Sequence, residues 1–319
     1  MTIVVTGATG MIGRHLVAAL RASGKRVCVL SRSAAEPNLA EETRSLPAPE
    51  APAGLFEEAL AGATGIVHCA ALNSDAGRTE RDVFAANAVL TEKLGRAAAR
   101  TVPGRFIFLS STRAMIDGRE TATLDEATAC RPVSAYGRSK LEGERLLRAA
   151  YEAAGRSGDA TALRLPPVYG MGMRGQLGAL LRLADTPMPL PFRRYGAPGT
   201  LVSRSTAVRA ALLLLDHADP LQDIYLAGDR QSLDTGEILA SFRRGLARAE
   251  RLFHLPEAVL RFAAALALQG DAARLLAAGQ IVRADRLAAL GWHCEDDTHA
   301  TLRALAAAAR RPGRAGQTS

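Results

Sequence analysis

Lysine is nearly absent from this chain: of its 40 Lys and Arg residues only Lys25, Lys93 and Lys140 are lysines. Aromatic residues are scarce as well, at 4% of 319 residues. The formal charge of +8 is therefore carried by arginine, and the arginines are spread through helical stretches beside Glu and Asp. No basic block with interleaved aromatics is present, so the pattern of a nucleic-acid-binding surface is missing. The replacement of lysine by arginine reads as a compositional bias, and the charge supports no more than a general affinity for anionic ligands. Four cysteines, Cys28, Cys69, Cys130 and Cys294, show neither C-x-x-C nor metal-ligand spacing. Cys28 and Cys69 fall inside apolar strand candidates, where a thiol acts as a small hydrophobe. A reducing compartment, no disulfide framework and no metal site are expected. No apolar run reaches about 18 residues, the length of a membrane span. The first strand candidate opens at residue 2, with no room for a signal peptide before it. The expectation is a cytoplasmic protein with neither nucleic acid nor membrane as partner.

What is present begins at the front of the chain. Thr2-Ile3-Val4-Val5-Thr6 is a β-branched run that fits a buried parallel strand. It breaks at Gly7-Ala8-Thr9-Gly10-Met11-Ile12-Gly13 and continues into a helical stretch from Arg14. Strand, glycine turn and helix are the layout of a dinucleotide-binding unit, here spaced G-x-x-G-x-x-G. The glycines serve a tight turn, backbone approach to a pyrophosphate and close helix packing. The helix N-terminus offers free N–H groups and positive dipole to the diphosphate.

The second strand, Arg26–Leu30, ends in Ser31-Arg32-Ser33. An acidic residue there would grip the ribose 2′-hydroxyl of NAD. A hydroxyl and a guanidinium instead favour the 2′-phosphate of NADP, with NAD as the alternative and an Arg stacked on adenine or solvated as the plain reading. A weak strand candidate lies near Thr43–Leu46, a helix over Leu55–Leu60 and a buried strand over Gly65–Ala71, in which His68 reads as a core histidine. A helix from about Arg81 to Arg100 carries Asn87 in its first half. Phe106–Thr112 is a strand ending in hydroxyls, Tyr136 opens a helix running to about Ala154, and Ala160–Leu165 is a further strand before Pro166-Pro167-Val168-Tyr169-Gly170. This alternation implies an α/β fold: a Rossmann-type, doubly wound parallel sheet with a smaller, mainly helical C-terminal substrate lobe. The division is residues 1–170 for the dinucleotide-binding domain, with a return segment near 201–230, and 171–310 for the lobe. Leu201–Ser203 and Ile224–Ala227 are short strand candidates, residues 206–216, 235–249, 256–268 and 298–310 read as helices, and 311–319 has the composition of a disordered tail.

Ser111, Tyr136 and Lys140 form the chemical set. A phenol with an ordinary pKa near 10 is a poor acid at neutral pH. A lysine ammonium four residues on, on the same helix face, is expected to favour the phenolate. A serine at a neighbouring strand end can hydrogen-bond the reacting oxygen.

With these residues in place, the chain resembles the extended short-chain dehydrogenase/reductases, the NAD(P)-dependent epimerase/dehydratase family. The matching motifs are TGATGMIG at 6–13, HCAA at 68–71, Asn87 before a Leu/Ala-rich helix, FIFLSS at 106–111, YGRSK at 136–140 and LRLPPVYG at 163–170. Residues 170–184, 201–203 and 224–239, the apolar stretch around Leu255–Leu268 and Leu290-Gly291-Trp292 are similar to the UDP-hexosamine 4-epimerase/4-ketoreductase branch.

The resemblance implies a cofactor cradle of Gly7, Thr9, Gly10, Met11, Ile12 and Gly13, with Ser31 and Arg32 at the adenosine end. Cys69, Ala70, Ala71, Leu109, Pro166 and Val168 would line it, and Asn87 would either stand near the active site or brace its helix. Ser111 matches the catalytic hydroxyl, with Thr112 if the register slips; Tyr136 would exchange the proton at the sugar C4 oxygen; Lys140 would bind the nicotinamide ribose and lower the Tyr136 pKa. Ser111, Thr112, Arg174, Gln176 and Arg204 would contact substrate. Two departures stand out. The family's acidic adenine contact after the third strand is missing, and an Arg-Ser and an Asp pair around the Leu-Val strand are replaced by Gly199-Thr200 and Arg204-Ser205. Arg193, Arg194 and Arg204 are the available substitutes for the lost UDP-binding arginine. The implied activity is NADP-dependent reduction at C4 of a UDP-linked 4-keto (amino)sugar. The alternatives are a nucleotide-sugar 4-epimerase with retained NAD and a non-catalytic NAD(P)-binding regulator. A homodimer packed through helices near 85–100 and 140–154 is implied as well.

Overall fold

Every residue of Thr2–Thr6 (β1) is β-branched, and four of the five are buried, as a strand covered on both faces requires. The computed structural model describes residues 1–32, 39–72, 79–117, 120–256, 259 and 279–310. After β1 come α1 (Met11–Ala22), β2 (Arg26–Ser31), β3 (Glu42–Ser45), α2 (Ala53–Ala59) and β4 (Gly65–His68). Then follow α3 (Glu80–Phe84), α4 (Leu90–Thr101), β5 (Phe106–Ser111), β6 (Ala122–Leu124), α5 (Ala135–Ala153), β7 (Ala160–Leu165), β8 (Val168–Tyr169) and α6 (Gly175–Ala184). The last third holds β9 (Gly199–Thr200), β10 (Val202–Ser203), α7 (Arg204–Asp216), β11 (Ile224–Leu226), β12 (Ser232–Leu233), α8 (Thr235–Gly245), β13 (Gln280–Val282) and a helix over Thr298–Ala309.

Seven strands form one sheet in the order β11-β7-β5-β4-β1-β2-β3, and every pairing in it is parallel. The chain direction across the sheet reverses between β1 and β4, which opens a crevice at the carboxyl ends of those strands. On one face Ile3 and Val5 pack with Leu16, Val17 and Leu20 of α1 and with Ala207, Val208 and Leu214 of α7. On the other, Val4, Ile66, Phe106 and Phe108 pack with Leu94 and Ala97 of α4 and Leu147 and Tyr151 of α5. Each Val, Leu, Ile or Phe among them contributes roughly 1.5–3 kcal/mol on burial. Leu177, Leu180, Leu239, Phe242 and Leu302 make a third core, so the C-terminal lobe is helical and smaller, while α7 and β11 return the chain to the sheet.

Several expectations need correction. The helix expected over Arg81–Arg100 is interrupted by a π turn over Ala85–Val89, whose extra residue per turn points Asn87 inward. The helix expected over 235–249 ends at Gly245. There the buried Arg243 donates to the carbonyls of Thr186, Met188, Ala249 and Glu250, and the chain folds back over it. The third strand starts one residue early, at Glu42, and pairs with β2. β10 falls within the strand candidate Leu201–Ser203, whereas helix α6, the strands β6, β8, β9, β12 and β13 and the pairings β8–β10, β9–β12 and β6–β13 had no sequence reading; strands of two or three residues are too short to show alternation. Ser33, the tail over 311–319 and most of the helix expected over 256–268 lie outside the described residues. No described helix is long and apolar enough to cross a membrane.

Candidate active site

The glycine turn is shaped by close approach. Gly7 adopts a left-handed backbone (φ 67°), and a Cβ there would lie 2.6 Å from the Ala70 nitrogen. At Gly13 a Cβ would lie 2.2 Å from the Gly7 carbonyl oxygen. The turn is thus pressed against the exit of β4 on one side and against α1 on the other. Gly10 caps α1 without a side-chain bond, and no acid stands in the first turn. That helix end retains its N–H groups and its positive dipole for an anion. Thr9 and Gly10 are exposed, and Met11 and Ile12 half-buried.

A buried chain of hydrogen bonds joins this turn to the π turn. The Ala70 N–H donates to Thr6 Oγ1 at 3.2 Å, and Thr6 Oγ1 meets His68 Nδ1 at 2.6 Å. His68 Nε2 meets Thr91 Oγ1 at 3.0 Å, and Thr91 donates to the Asn87 carbonyl at 2.7 Å. Because the single Thr91 hydroxyl proton goes to Asn87, Thr91 must accept from His68. The imidazole therefore carries its proton on Nε2 and accepts from Thr6 at Nδ1. Burial, with the Lys140 charge adding to it, holds its pKa down to about 3. His68 is a neutral core histidine stacked on Phe108, 5.3 Å between centroids.

Asn87 is wholly buried. Its Oδ1 accepts from Leu72 N at 2.7 Å, and its two N–H bonds go to the Leu72 carbonyl and Ser139 Oγ. With both donors spent on the protein, Asn87 acts as a brace between the exit of β4 and α5, and its expected place beside the cofactor gives way to that role.

Helix α5 begins where Ser134 accepts from the Gly137 N–H at 3.0 Å. Ser134 itself donates to Asp117, whose Oδ2 also accepts from the Ser134 and Val133 amides. This places Tyr136 in the first turn, opposite the end of β5. The Ser111 hydroxyl is close enough to Tyr136 to pull its pKa down against burial, and Ser111 Oγ accepts from the Arg113 N–H at 3.2 Å. Thr112 is buried behind the strand end, so Ser111 is the hydroxyl presented to Tyr136.

Lys140 departs from expectation. Its ammonium donates to the Leu109 carbonyl at 2.7 Å and lies 3.9 Å from the Phe108 ring centre, at 1% exposure. Burial pulls its pKa down to about 7, opposed by Glu144. Tyr136 is pushed upward by burial, and the opposing pull comes from Arg113, whose guanidinium carbon lies 5.2 Å from the ring centre, and from Ser111.

Behind Lys140 lies a pair that the sequence reading missed. Arg164 of β7 contacts Glu144 through bonds of 2.6, 3.0 and 3.2 Å, and Ser110 donates to the same carboxylate. Two clues were available: Glu144 sits four residues after Lys140 on one helix face, and a lone Arg in an otherwise apolar strand needs a buried acid.

The remaining candidates divide by location. Ser31 ends β2 and Arg32 follows it, exposed. Cys69, Ala70 and Ala71 follow β4, Leu109 is in β5, and Pro166 and Val168 follow β7. Burial raises the Cys69 thiol to about 12. All lie at the carboxyl side of the sheet. Arg174 stands at the N-cap of α6 and Gln176 in its first turn. Arg204 packs on Gly170 and donates to the Met171 carbonyl at 3.4 Å. Burial, with the Arg204 charge adding to it, lowers the pKa of His15 in α1. Arg193 and Arg194 are exposed in the loop before β9.

Comparison with known proteins agrees with this arrangement: residues 3–225 match the NAD dependent epimerase/dehydratase family. The chain belongs to that family. The UDP-glucose 4-epimerase of Vibrio cholerae is 28% identical over 250 residues, 75% of this chain and 74% of that one. The dTDP-6-deoxy-L-talose 4-dehydrogenase (NAD(P)(+)) of Kitasatospora kifunensis is 32% identical over 239 residues, covering 72% and 71%. Among solved structures, the UDP-N-acetylglucosamine 4-epimerase of Bacillus cereus superimposes with a TM-score of 0.76 at 17% identity, covering 98% of this chain and 99% of that one. For an epimerase/dehydratase family member, the Gly7–Gly13 cradle and the uncapped, acid-free start of α1 fit a dinucleotide diphosphate.

Proposed function

We propose that this protein is an NADP-dependent reductase acting at C4 of a UDP-linked 4-keto (amino)sugar. The reading is carried by the Ser111–Tyr136 hydroxyl pair at the carboxyl end of β5, in the sheet whose switch point carries the glycine turn. The Gly7–Ile12 turn would hold the diphosphate, and Ser31 with Arg32 the 2′-phosphate. When bound, the dinucleotide supplies the hydride that reduces the carbonyl carbon. Tyr136 donates its proton to the oxygen that becomes negative there, and Ser111 hydrogen-bonds the same oxygen where charge develops. Arg174, Gln176 and Arg204 are proposed for the substrate end. The relatives named as reductases or dehydrogenases, both of dTDP-linked sugars, support the reductase part of this choice: besides the talose 4-dehydrogenase, the dTDP-4-dehydrorhamnose reductase of Burkholderia thailandensis is 32% identical over 221 residues, 66% of this chain and 67% of that one.

The deciding experiment pairs cofactor and turnover. The purified protein should bind NADPH more tightly than NADH, and Tyr136→Phe should lower turnover by roughly 10²–10⁴-fold while leaving NADPH affinity unchanged. Full activity in that variant would falsify the role of Tyr136. The second reading, a 4-epimerase, draws on the Vibrio cholerae relative, which matches three quarters of the chain. Tightly held NAD released on denaturation, near one per chain by mass spectrometry, would favour it. The proposal includes a homodimer through α4 and α5, which lie side by side; light scattering at twice the chain mass is the expected result.

A further inference from the structure

One cation at the site takes no part in the set of Ser111, Tyr136 and Lys140. Arg113 lies in the single 3-10 turn, Thr112–Ala114, that follows β5. Thr112 and Ala114 are buried there, whereas Ser111, Arg113 and Tyr136 stay partly open. The Arg113 guanidinium carbon lies over the Tyr136 ring, 5.2 Å from its centre, and the side chain is 38% exposed. Its Nε is shut off from solvent and has no hydrogen-bond partner. Asp117 Oδ1, at 3.7 Å, is outside hydrogen-bond range, and the Asp117 carboxylate accepts from Ser134 and the Val133 amide instead. Glu80 and Glu120 are paired with Arg138 and Arg131. Among the described residues, then, the Arg113 guanidinium donates no hydrogen bond, although it stands beside a hydroxyl that would meet the reacting oxygen. A donor shut off from water and left unpaired is costly, and a ligand oxygen removes that cost.

We propose that Arg113 anchors a carboxylate carried next to the reacting carbon of the sugar, so that the substrate is a nucleotide-linked 4-ketouronate. This rests on the reading of Tyr136 and Ser111 as the groups that meet the C4 oxygen. In a pyranose the diphosphate hangs from C1, across the ring from C4. A cation beside Tyr136 therefore stands at the end of the sugar away from the phosphates, and another anion has to account for it. The carbons flanking C4 are C3 and C5. C3 of a hexose carries a neutral hydroxyl, whereas C5 carries C6, which in a uronic acid is a carboxylate. A guanidinium presents paired N–H donors that match a carboxylate bidentately. Stacking on the Tyr136 ring holds its plane, so little side-chain freedom is lost when the carboxylate arrives. A hydroxymethyl or methyl group at C6 would leave the same guanidinium without a counter-charge.

The probes are UDP-glucuronate and UDP-glucose, which differ only at C6 and carry the C4 alcohol, the product side of the reduction. Each is titrated by calorimetry into the protein saturated with NADP+. UDP-glucuronate should bind at least about tenfold more tightly. Arg113→Met keeps an apolar chain over the ring and removes the charge. It should bring UDP-glucuronate down to the UDP-glucose affinity and leave UDP-glucose and NADP+ binding unchanged. Equal affinity for the two sugars in the native protein overturns the proposal, as does binding of neither, or a parallel loss of both in Arg113→Met. If that variant does not fold, the native comparison decides alone. The C4 reading is separated by turnover, in which the hydride passes to NADP+ and the hydroxyl proton to Tyr136. If the carboxylate preference appears and is lost with Arg113, yet UDP-glucuronate yields no NADPH, the C4 reading fails and the anchor stands. If both sugars yield NADPH with the same KM, the anchor fails and the C4 reading stands.

Discussion

His68 shows how a residue with catalytic chemistry becomes structural. Its Nε2–H donates to Thr91 and its Nδ1 accepts from Thr6, and burial holds it neutral, with a pKa down to about 3 against an ordinary 6.5. In the unfolded chain it would take up a proton below about pH 6.5. Between the two values the unfolded state binds more protons, so stability rises with pH and is lost as pH falls through that window. In His68→Leu, Thr6 and Thr91 are left without their buried partner, at about 1–3 kcal/mol. The variant should therefore be less stable at pH 7, and the gap should shrink by pH 4.5. Urea midpoints at both pH values check this; an equal gap at both would remove the imidazole from the acid response. Lys140, also lowered, to about 7, has the same sign in a higher window. Its folded-state cost is full below about pH 7 and disappears as pH rises toward the ordinary lysine value. What the sequence made legible at this scale was what lies close along the chain: Tyr136 and Lys140 on one helix face, and Ser111 at a strand end. Thr6–His68 was not legible and Glu144–Arg164 was legible only as two unmatched charges, because the partners are 62 and 20 residues apart and meet only through sheet register and helix packing. Arg113 was hidden for another reason: it lies in a single 3-10 turn, Thr112–Ala114, too short for any period to tell which way a side chain faces.

At the scale of elements, the strands of the large sheet could be read because each is a continuous apolar run, as double-sided burial demands. β3 was the weak one, since Glu-Thr-Arg-Ser at a sheet edge carries no such run. The π turn was unreadable, since the bonds Asn87 makes within it reach Leu72 and Ser139, 15 and 52 residues away, and leave no mark in the local sequence. The turn before α1 was readable down to its packing, and it gives a sharp test. A methyl group in Gly13→Ala would sit 2.2 Å from the Gly7 oxygen, which forces the turn and the helix apart. Displacing the N–H groups that face the diphosphate should weaken NADPH binding at least tenfold by calorimetry, and the far-UV circular dichroism of the fold should persist. Unchanged affinity would mean that the turn does not hold the cofactor.

At the scale of the whole molecule, the sheet and the helical lobe are joined by short ladders and side-chain staples rather than by one continuous core. Tyr169 of β8 donates to Asp229 at 2.5 Å, and Asp229 accepts from the Ser203 amide at 3.0 Å, so the exit of β7 is tied to the start of α7. Arg204 opens α7 against Gly170, and α7 packs in one core with α1, the helix that follows the glycine turn. A dinucleotide lying along the carboxyl edge of the sheet would thus bear on the joint as well as on the strands. Binding to the folded state alone adds about 2.7 kcal/mol of stability at a hundredfold excess over Kd, seen as a rise of several degrees in Tm. The size of that rise measures cofactor choice without any substrate. Arg32 is exposed at the end of β2, and a charge-assisted bond to a 2′-phosphate contributes about 1.5–3 kcal/mol. In Arg32→Ala the Tm rise with NADPH at fixed concentration should shrink, while the smaller rise with NADH should be unchanged, because NADH has no phosphate at that position. Equal shrinkage with both would place Arg32 on the shared adenine instead, and the case for NADP over NAD would go with it.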